Sequence, residues 1–258
     1  MAFQENIRTI KNWFISYLNN LEFIENQLIA RIKEFSDRAN NHEISLNEAM
    51  LESAHCETIM LTLYLSLIEA LSRFRFPKSN PQKRFVEFVT AYSGYEQIYS
   101  LISIPLLIKE IKELENKRII QQTIDDIKKK CPQMTLEWGN KNYPDSKFCF
   151  ENLRNQYHLP DKILIKCRYA NILYTNYRCN IIHEGKVPRE HSNIFGEGML
   201  YPYYYSFSPD TEDLEKTEFC LDFPMIFIKQ TAKNCLDNLC CWFEKNNVNP
   251  FDLISKKE

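Results

Sequence analysis

Three features of this chain predict a mainly α protein, a helical bundle carrying a small β-hairpin appendage. Apolar residues recur at steps of three and four along most of its length. Glycine is scarce, with only 5 in 258 residues, and one short aromatic stretch at 199–223 breaks the helical pattern. The scarcity of glycine also argues against loops that cradle phosphates. Neither GxGxxG nor GxxxxGK[ST] occurs, which excludes ordinary P-loop and dinucleotide-binding enzymes. Aromatic residues reach 13%, too many for a disordered chain.

Phe3, Ile7, Ile10, Phe14, Leu18, Leu21, Ile24, Leu28, Ile32 and Phe35 mark an amphipathic helix over 3–38. It is either one long helix or two meeting near Asn19-Asn20. Residues 1–44 form an N-terminal helical extension, and 45–250 form the helical domain. Ser45-Leu46-Asn47-Glu48 is a capping box that opens a second long helix, which Pro77 stops near Phe76. Pro81 starts a short helix through Tyr92 with Phe85, Phe88 and Val89 inward. Residues 95–104 suit strand and helix alike. Pro105 leads into a helix over 106–130, whose Lys128-Lys129-Lys130 suit the negative end of the helix dipole. Two prolines and Trp138-Gly139 make 131–150 a loop insertion. A helix opened by Pro160 presents Ile163, Leu164, Cys167, Tyr169, Ala170, Leu173, Tyr174 and Tyr177, and continues into Arg178. Leu200–Phe207 and Glu218–Phe223, separated by acidic turn residues, pair as the hairpin. Pro224 opens a closing helix through about Trp242.

A net charge of −2 excludes a globally basic protein that coats nucleic acid, and leaves room for a local basic patch. The nine cysteines are an odd, scattered set, which fits reduced cytosolic thiols better than a disulfide framework. No C-x₂-C or H-x₃-H spacing is present, so neither a metal nor another cofactor is expected. Glu5 stands where a secretory leader would carry lysines. The apolar segment 59–71 is short and contains Glu69, below the ~18 residues of a membrane span. These features point to a cytoplasmic protein with no membrane segment.

The chemistry-bearing string is Tyr174-Thr175-Asn176-Tyr177-Arg178-Cys179-Asn180-Ile181-Ile182-His183-Glu184-Gly185. Arg178 supplies a fixed cation and His183 a group that exchanges protons near neutral pH. RNA carries its own nucleophile, the 2′-hydroxyl. Its cleavage needs a base, an acid for the leaving 5′-oxygen, and positive charge beside the phosphate. Two histidines, one from each copy of the chain, would meet the first two needs. On a regular α-helix, positions five apart point about 140° from each other. Arg178 and His183 therefore converge only if His183 lies at or beyond the helix end, where Gly185 can stop it. A helix C-terminus favours protonated imidazole and repels phosphate, so Lys186 and Arg189 would assist Arg178 as RNA-binding groups. Local physics alone reads the pair more readily as a helix cap and a surface ion pair.

Glu69 is the one acid placed for burial. It would either orient Arg178 or His183, or it would pair with Arg73 four residues on or face water on the polar side of the helix, and the latter readings are the commoner. Tyr201, Tyr203, Tyr204 and Tyr205 could stack on unpaired bases, but alternate packing along a strand is the simpler reading.

Arg178 to His183, at the end of a helix in an α bundle, resembles the R-x₄₋₆-H motif of HEPN domains. The wider string Tyr174 to Gly185 is similar to the form common in prokaryotic members. The helix around Ser66-Leu67-Ile68-Glu69-Ala70-Leu71 looks like an early bundle helix of that family, and the Pro224 helix has a weaker likeness. The resemblance covers about 46–246. It implies a homodimer that cuts RNA without metal, acting as a toxin or defence effector. Arg178 would hold the phosphate, His183 would exchange protons, and Asn180, Glu184 and Glu69 would support them. The position after the arginine is usually polar in active members, and here it is Cys179. A non-catalytic HEPN-like module for dimerisation or for a protein partner such as an antitoxin is the alternative.

The absence of a compact ligand spacing yields a first test. Any RNA cleavage by the purified chain should proceed undiminished in EDTA. Activity lost to EDTA and restored by magnesium or zinc would overturn the metal-free mechanism.

Overall fold

The computed structural model describes residues 2–114, 117–130, 150–181, 200–207 and 218–255. The helices are α1 (Ala2–Asn40), α2 (Leu46–Arg75), α3 (Pro81–Tyr92), α4 (Glu96–Tyr99), α5 (Ile104–Lys112), α6 (Lys117–Lys130), α7 (Phe150–Tyr157), α8 (Asp161–Lys166) and α9 (Tyr169–Ile172). A π-helix (Leu173–Cys179) continues α9; strands β1 (Tyr203–Phe207) and β2 (Glu218–Asp222) follow, then α10 (Met225–Asn246) and α11 (Pro250–Ser255). The protein is thus mainly α with one small antiparallel hairpin. The chain divides into two compact units. One holds the described residues of 1–95, 177–188 and 228–258; the other holds those of 96–176 and 189–227.

In the first unit α1 packs along α2. It is one helix, uninterrupted at Asn19-Asn20. Ile7, Ile10, Phe14, Leu18 and Leu21 are buried, and the Phe14 ring meets Phe74 edge-on at 5.6 Å. The capping box of α2 forms as expected. The Ser45 amide donates to the Glu48 carboxylate at 2.8 Å, and the Glu48 amide donates to Ser45 Oγ at 3.2 Å. Phe76 closes the helix by donating its N–H to the Ser72 carbonyl.

Helix α2 departs from the sequence expectation in one respect. By length and composition it could cross a membrane, with a mean hydropathy of 1.2 in its most apolar window. However, 56% of that window is buried inside the protein. Its stripe of Met60, Leu61, Leu65, Ile68 and Leu71 is core, and α2 packs on both α1 and α3.

Side chains of α10 tie this unit together. Asn234 and Asn238 donate to the carbonyls of Ser93 and Tyr92 at 2.7 and 2.8 Å, satisfying acceptors that the end of α3 leaves open. Gly94 follows in the left-handed region at φ +75°, where a Cβ would stand 3.3 Å from Asn234 Nδ2. Glu25 accepts from Tyr64 Oη at 2.7 Å and from Lys229 Nζ at 2.8 Å. Burial first, then the Glu25 acceptor, push the Tyr64 phenol up, so it remains a donor.

In the second unit the expected helix over 106–130 is two helices, α5 and α6. The break brings Leu107, Ile108 and Ile111 into one core cluster with Ile120, Ile124 and Ile127, completed by Leu153, Leu159 and Leu164. Lys130 is held by Asp126 at 3.0 Å and Tyr157 Oη at 2.8 Å. That makes it a tethered helix end rather than a free basic finger. The helix opened by Pro160 is also interrupted. Cys167 ends α8, and Arg168 forms an antiparallel bridge with Ile102, flanked by Ser103 N–H to Cys167 O and Tyr169 N–H to Leu101 O. Residues 95–104 therefore hold both a short helix and one extended bridge. Backbone groups that a continuous helix would bond internally instead bond across the chain. The loop expected over 131–150 lies outside the described residues, apart from Phe150, which begins α7.

The hairpin pairs Tyr203 with Asp222 through Phe207 with Glu218. Tyr203 Oη donates to Asp222 at 2.9 Å, and Tyr204 Oη donates to Ser103 Oγ at 2.9 Å. These half-buried rings pack and bond rather than wait for bases. Tyr201 is half-exposed beside Phe227, and the Tyr205 side chain lies outside the described residues. Helix α10 runs on past Trp242 to Asn246, and the short α11 was not legible in the pattern.

The Glu22 pair generates a pH test. Lys233 bonds Glu22 at 2.5 Å and holds its carboxyl below the usual range, opposed by slight desolvation and aided by the Lys233 and Lys229 charges. A depressed carboxylate stabilises the fold above its unfolded value near 4.5 and loses that contribution as pH falls through the folded value. Glu22→Gln should lower unfolding stability in urea at pH 7 by less than about 1 kcal/mol, as for exposed pairs. The difference from wild type should close as pH falls through the depressed folded value, and an equal gap at neutral and acid pH would contradict the pairing.

Candidate functional site

Glu69 lies on α2 beside Ile68 and is only 6% exposed. A carboxylate so placed costs several kcal/mol unless it is paired, and three guanidiniums surround it. Arg178 directs Nε at 2.6 Å and Nη2 at 2.5 Å onto Oε2. On the other oxygen, Oε1, Arg84 Nη2 stands at 3.5 Å and Arg73 Nη2 at 3.6 Å. Arg73 is one turn along α2, Arg84 comes from the first turn of α3, and Arg178 from the end of the π-helix. Among the described residues these three arginines are the carboxylate's partners.

Each arginine arrives for a local reason. Asn80 caps α3 by accepting from the Lys83 amide at 2.9 Å, with Pro81 in the first turn. This fixes where the helix begins, and so where Arg84 points. Arg84 also donates from Nη1 to the Ser79 carbonyl at 3.3 Å. Its Nε is buried and bonds nothing. Arg178 depends on the π-helix, a widened i→i+5 turn that is rare and often found at functional sites. Within this stretch Thr175 Oγ1 donates back to the Asn171 carbonyl at 2.9 Å, the kind of side-chain competition that loosens an α ladder. The 140° angle expected between Arg178 and His183 assumed an α-helix through both, and Leu173–Cys179 is not one.

The sequence offers Glu69 a contact with Arg178 or His183, an ion pair with Arg73, or a place on the solvent face; the contacts with Arg178 and Arg73 form, and the solvent-face reading fails because the residue is buried among three helical stretches. Sequence reasoning missed Arg84. The signal was present: Arg84 is four residues before Phe88, on the face assigned inward. Asn180 and Cys179 are half-buried and are not partners of Glu69. His183, Glu184, Lys186 and Arg189 lie outside the described residues, as does Gly185.

Several of the described thiols are held in their protonated, unreactive form by burial. The described cysteines are free, and burial pushes the Cys167 thiol up to about 12, Cys240 to about 11 and Cys235 well above its usual value. Among the described residues no three His, Cys, Asp or Glu side chains come together as a metal site.

Comparison of the chain with family models, with curated proteins and with solved structures gave no match in any of the three. The HEPN likeness therefore rests on the string Tyr174 to Gly185 and on the helix around Ser66 to Leu71.

Removing the shared carboxylate should be costly. Glu69→Ala strips the counterion from Arg84 and Arg178, both nearly buried, and should lower unfolding stability by about 3–5 kcal/mol. Arg73, 57% exposed along its side chain, should cost less than about 1 kcal/mol as Arg73→Ala. Equal effects in chemical denaturation would show that the cluster is not held through Glu69.

Proposed function

We propose that the chain is a metal-independent endoribonuclease of HEPN type, acting as a homodimer in the manner of a toxin or defence effector. The observation that carries this reading is the fork from Arg178 to Glu69. A carboxylate gripping Nε and Nη2 together fixes the plane of the guanidinium. The one cation of the motif is thereby pre-organised rather than free to sample rotamers. An arginine so held can meet a phosphate with its ordering already complete before binding.

In this mechanism the RNA 2′-oxygen attacks the adjacent phosphorus as the bond from phosphorus to the 5′-oxygen breaks. His183 of one copy takes the 2′-hydroxyl proton, and the same residue of the second copy protonates the leaving 5′-oxygen. Arg178 balances the charge that builds on the non-bridging oxygens. Chemistry shared between two histidines requires a twofold assembly.

A second reading is favoured by one observation: the Arg178 side chain is only 13% exposed and already ion-paired. A structural pair of this kind suits a non-catalytic HEPN-like module that dimerises or binds a protein partner.

Mutation separates the two. If the enzyme reading holds, His183→Ala should abolish RNA cleavage while changing stability by no more than ~0.3–2 kcal/mol. Cys179→Asn, which places a polar group beside Arg178, should raise cleavage, and light scattering should give twice the chain mass. Wild type, His183→Ala and Cys179→Asn all inert on RNA and equally stable would leave the partner-binding module.

A further inference from the structure

Among the described residues the charge that Glu69 shares with Arg73 and Arg84 does not balance. Arg73 and Arg84 have this one carboxylate between them, and its other oxygen is taken by Arg178. With Arg178 set aside entirely, at least one positive charge is left over. Distances sharpen the point. Arg178 sits at 2.5–2.6 Å from Glu69, whereas Arg84 and Arg73 stand at 3.5 and 3.6 Å, too far for strong charge-assisted bonds.

Arg84 is the telling member. It is 6% exposed, and its Nε is a buried donor with no acceptor. Native proteins rarely leave such a group unbonded, because its desolvation is not offset. Nε and Nη2 lie on the same edge of the planar guanidinium, the edge that grips two oxygens of one anion. In Arg84 that edge has one long contact and one empty donor. Arg73 meanwhile keeps 57% of its side chain in solvent, so the cluster has an open side through which an anion can arrive.

We propose that Arg73, Arg84 and Arg178 form a phosphate-binding site tethered by Glu69, and that its ligand is a phosphodiester of the RNA backbone. The ligand's identity rests on the endoribonuclease reading; the site itself rests on the unbalanced charge and the unused donor edge. A phosphodiester carries one negative charge and two non-bridging oxygens, matching the surplus charge and the under-bonded donor edge of Arg84. Glu69 keeps its hold on Arg178 while the phosphate draws in Arg84 and Arg73. Arg73 and Arg84 are then positioning residues for the phosphate that Arg178 polarises.

The test uses the intact chain and two probes. Inorganic phosphate should raise the melting temperature more than chloride does at matched ionic strength. A short single-stranded oligonucleotide, fully 2′-O-methylated so that it cannot be cleaved, should bind in fluorescence anisotropy. Arg73→Gln, at an exposed position, should weaken both by about tenfold or more, the scale of one hydrogen bond to a charged group. In RNA cleavage the same variant should raise KM with little change in kcat. Arg84→Lys, which keeps the charge and loses the edge, should do the same; if it fails to fold, Arg73→Gln decides alone. Phosphate acting no differently from chloride would overturn the site, as would unchanged affinity and KM in the folded variants. Cleavage retained at unchanged KM would keep the ribonuclease and remove the site. Phosphate binding with neither oligonucleotide binding nor cleavage would keep the site for a small phosphate ester and remove the ribonuclease.

Discussion

Much of the first unit depends on placing a carboxylate inside a helix whose neighbours are Ile68, Leu71 and Ser72, all fully buried or nearly so. Glu69 is accommodated there because guanidiniums from α2, α3 and the end of the π-helix meet it. Three separate stretches of chain must therefore arrive at one point. The energetics of such clusters are asymmetric: deleting one member strands the others, while an apolar set of the same volume would hold the helices about as well. A cluster of this kind is weak as a stabiliser and strong as a constraint on geometry.

Polar ties elsewhere follow the same logic at lower stakes. The end of α3 leaves carbonyls open, and α10 supplies Asn234 and Asn238 to meet them. Gly94 gives the backbone the left-handed turn that lets Asn234 approach. In the second unit the demand is apolar. The stripes of α5 and α6 share one core only because the chain breaks between them. Helix propensity over 106–130 yields to burial of those stripes, which stabilises the fold by more per residue.

The π-helix connects the local sequence to the site. Thr175 bonds back to Asn171, the ladder widens over Leu173–Cys179, and Arg178 leaves from the last turn of that widened stretch. Arguments from regular helical angles apply up to this point and not through it. With no match among known proteins, the weight of a ribonuclease reading falls on how Arg178 is held, and Glu69 supplies that hold.

Local pattern alone determined the mainly α architecture, the capping box at Ser45, the limits of α3 and the aromatic hairpin. Each is written in residues within a few positions of one another, where periodicity, caps and prolines act directly. Only the tertiary structure decided the rest. It broke two expected helices, because distant apolar stripes had to share a core and because Arg168 bonds across to Ile102. It also settled that Glu69 serves Arg178, Arg84 and Arg73 together. Arg84 is fifteen residues from Glu69 and Arg178 more than a hundred, and no local pattern encodes which charges will meet when helices that far apart in sequence pack side by side.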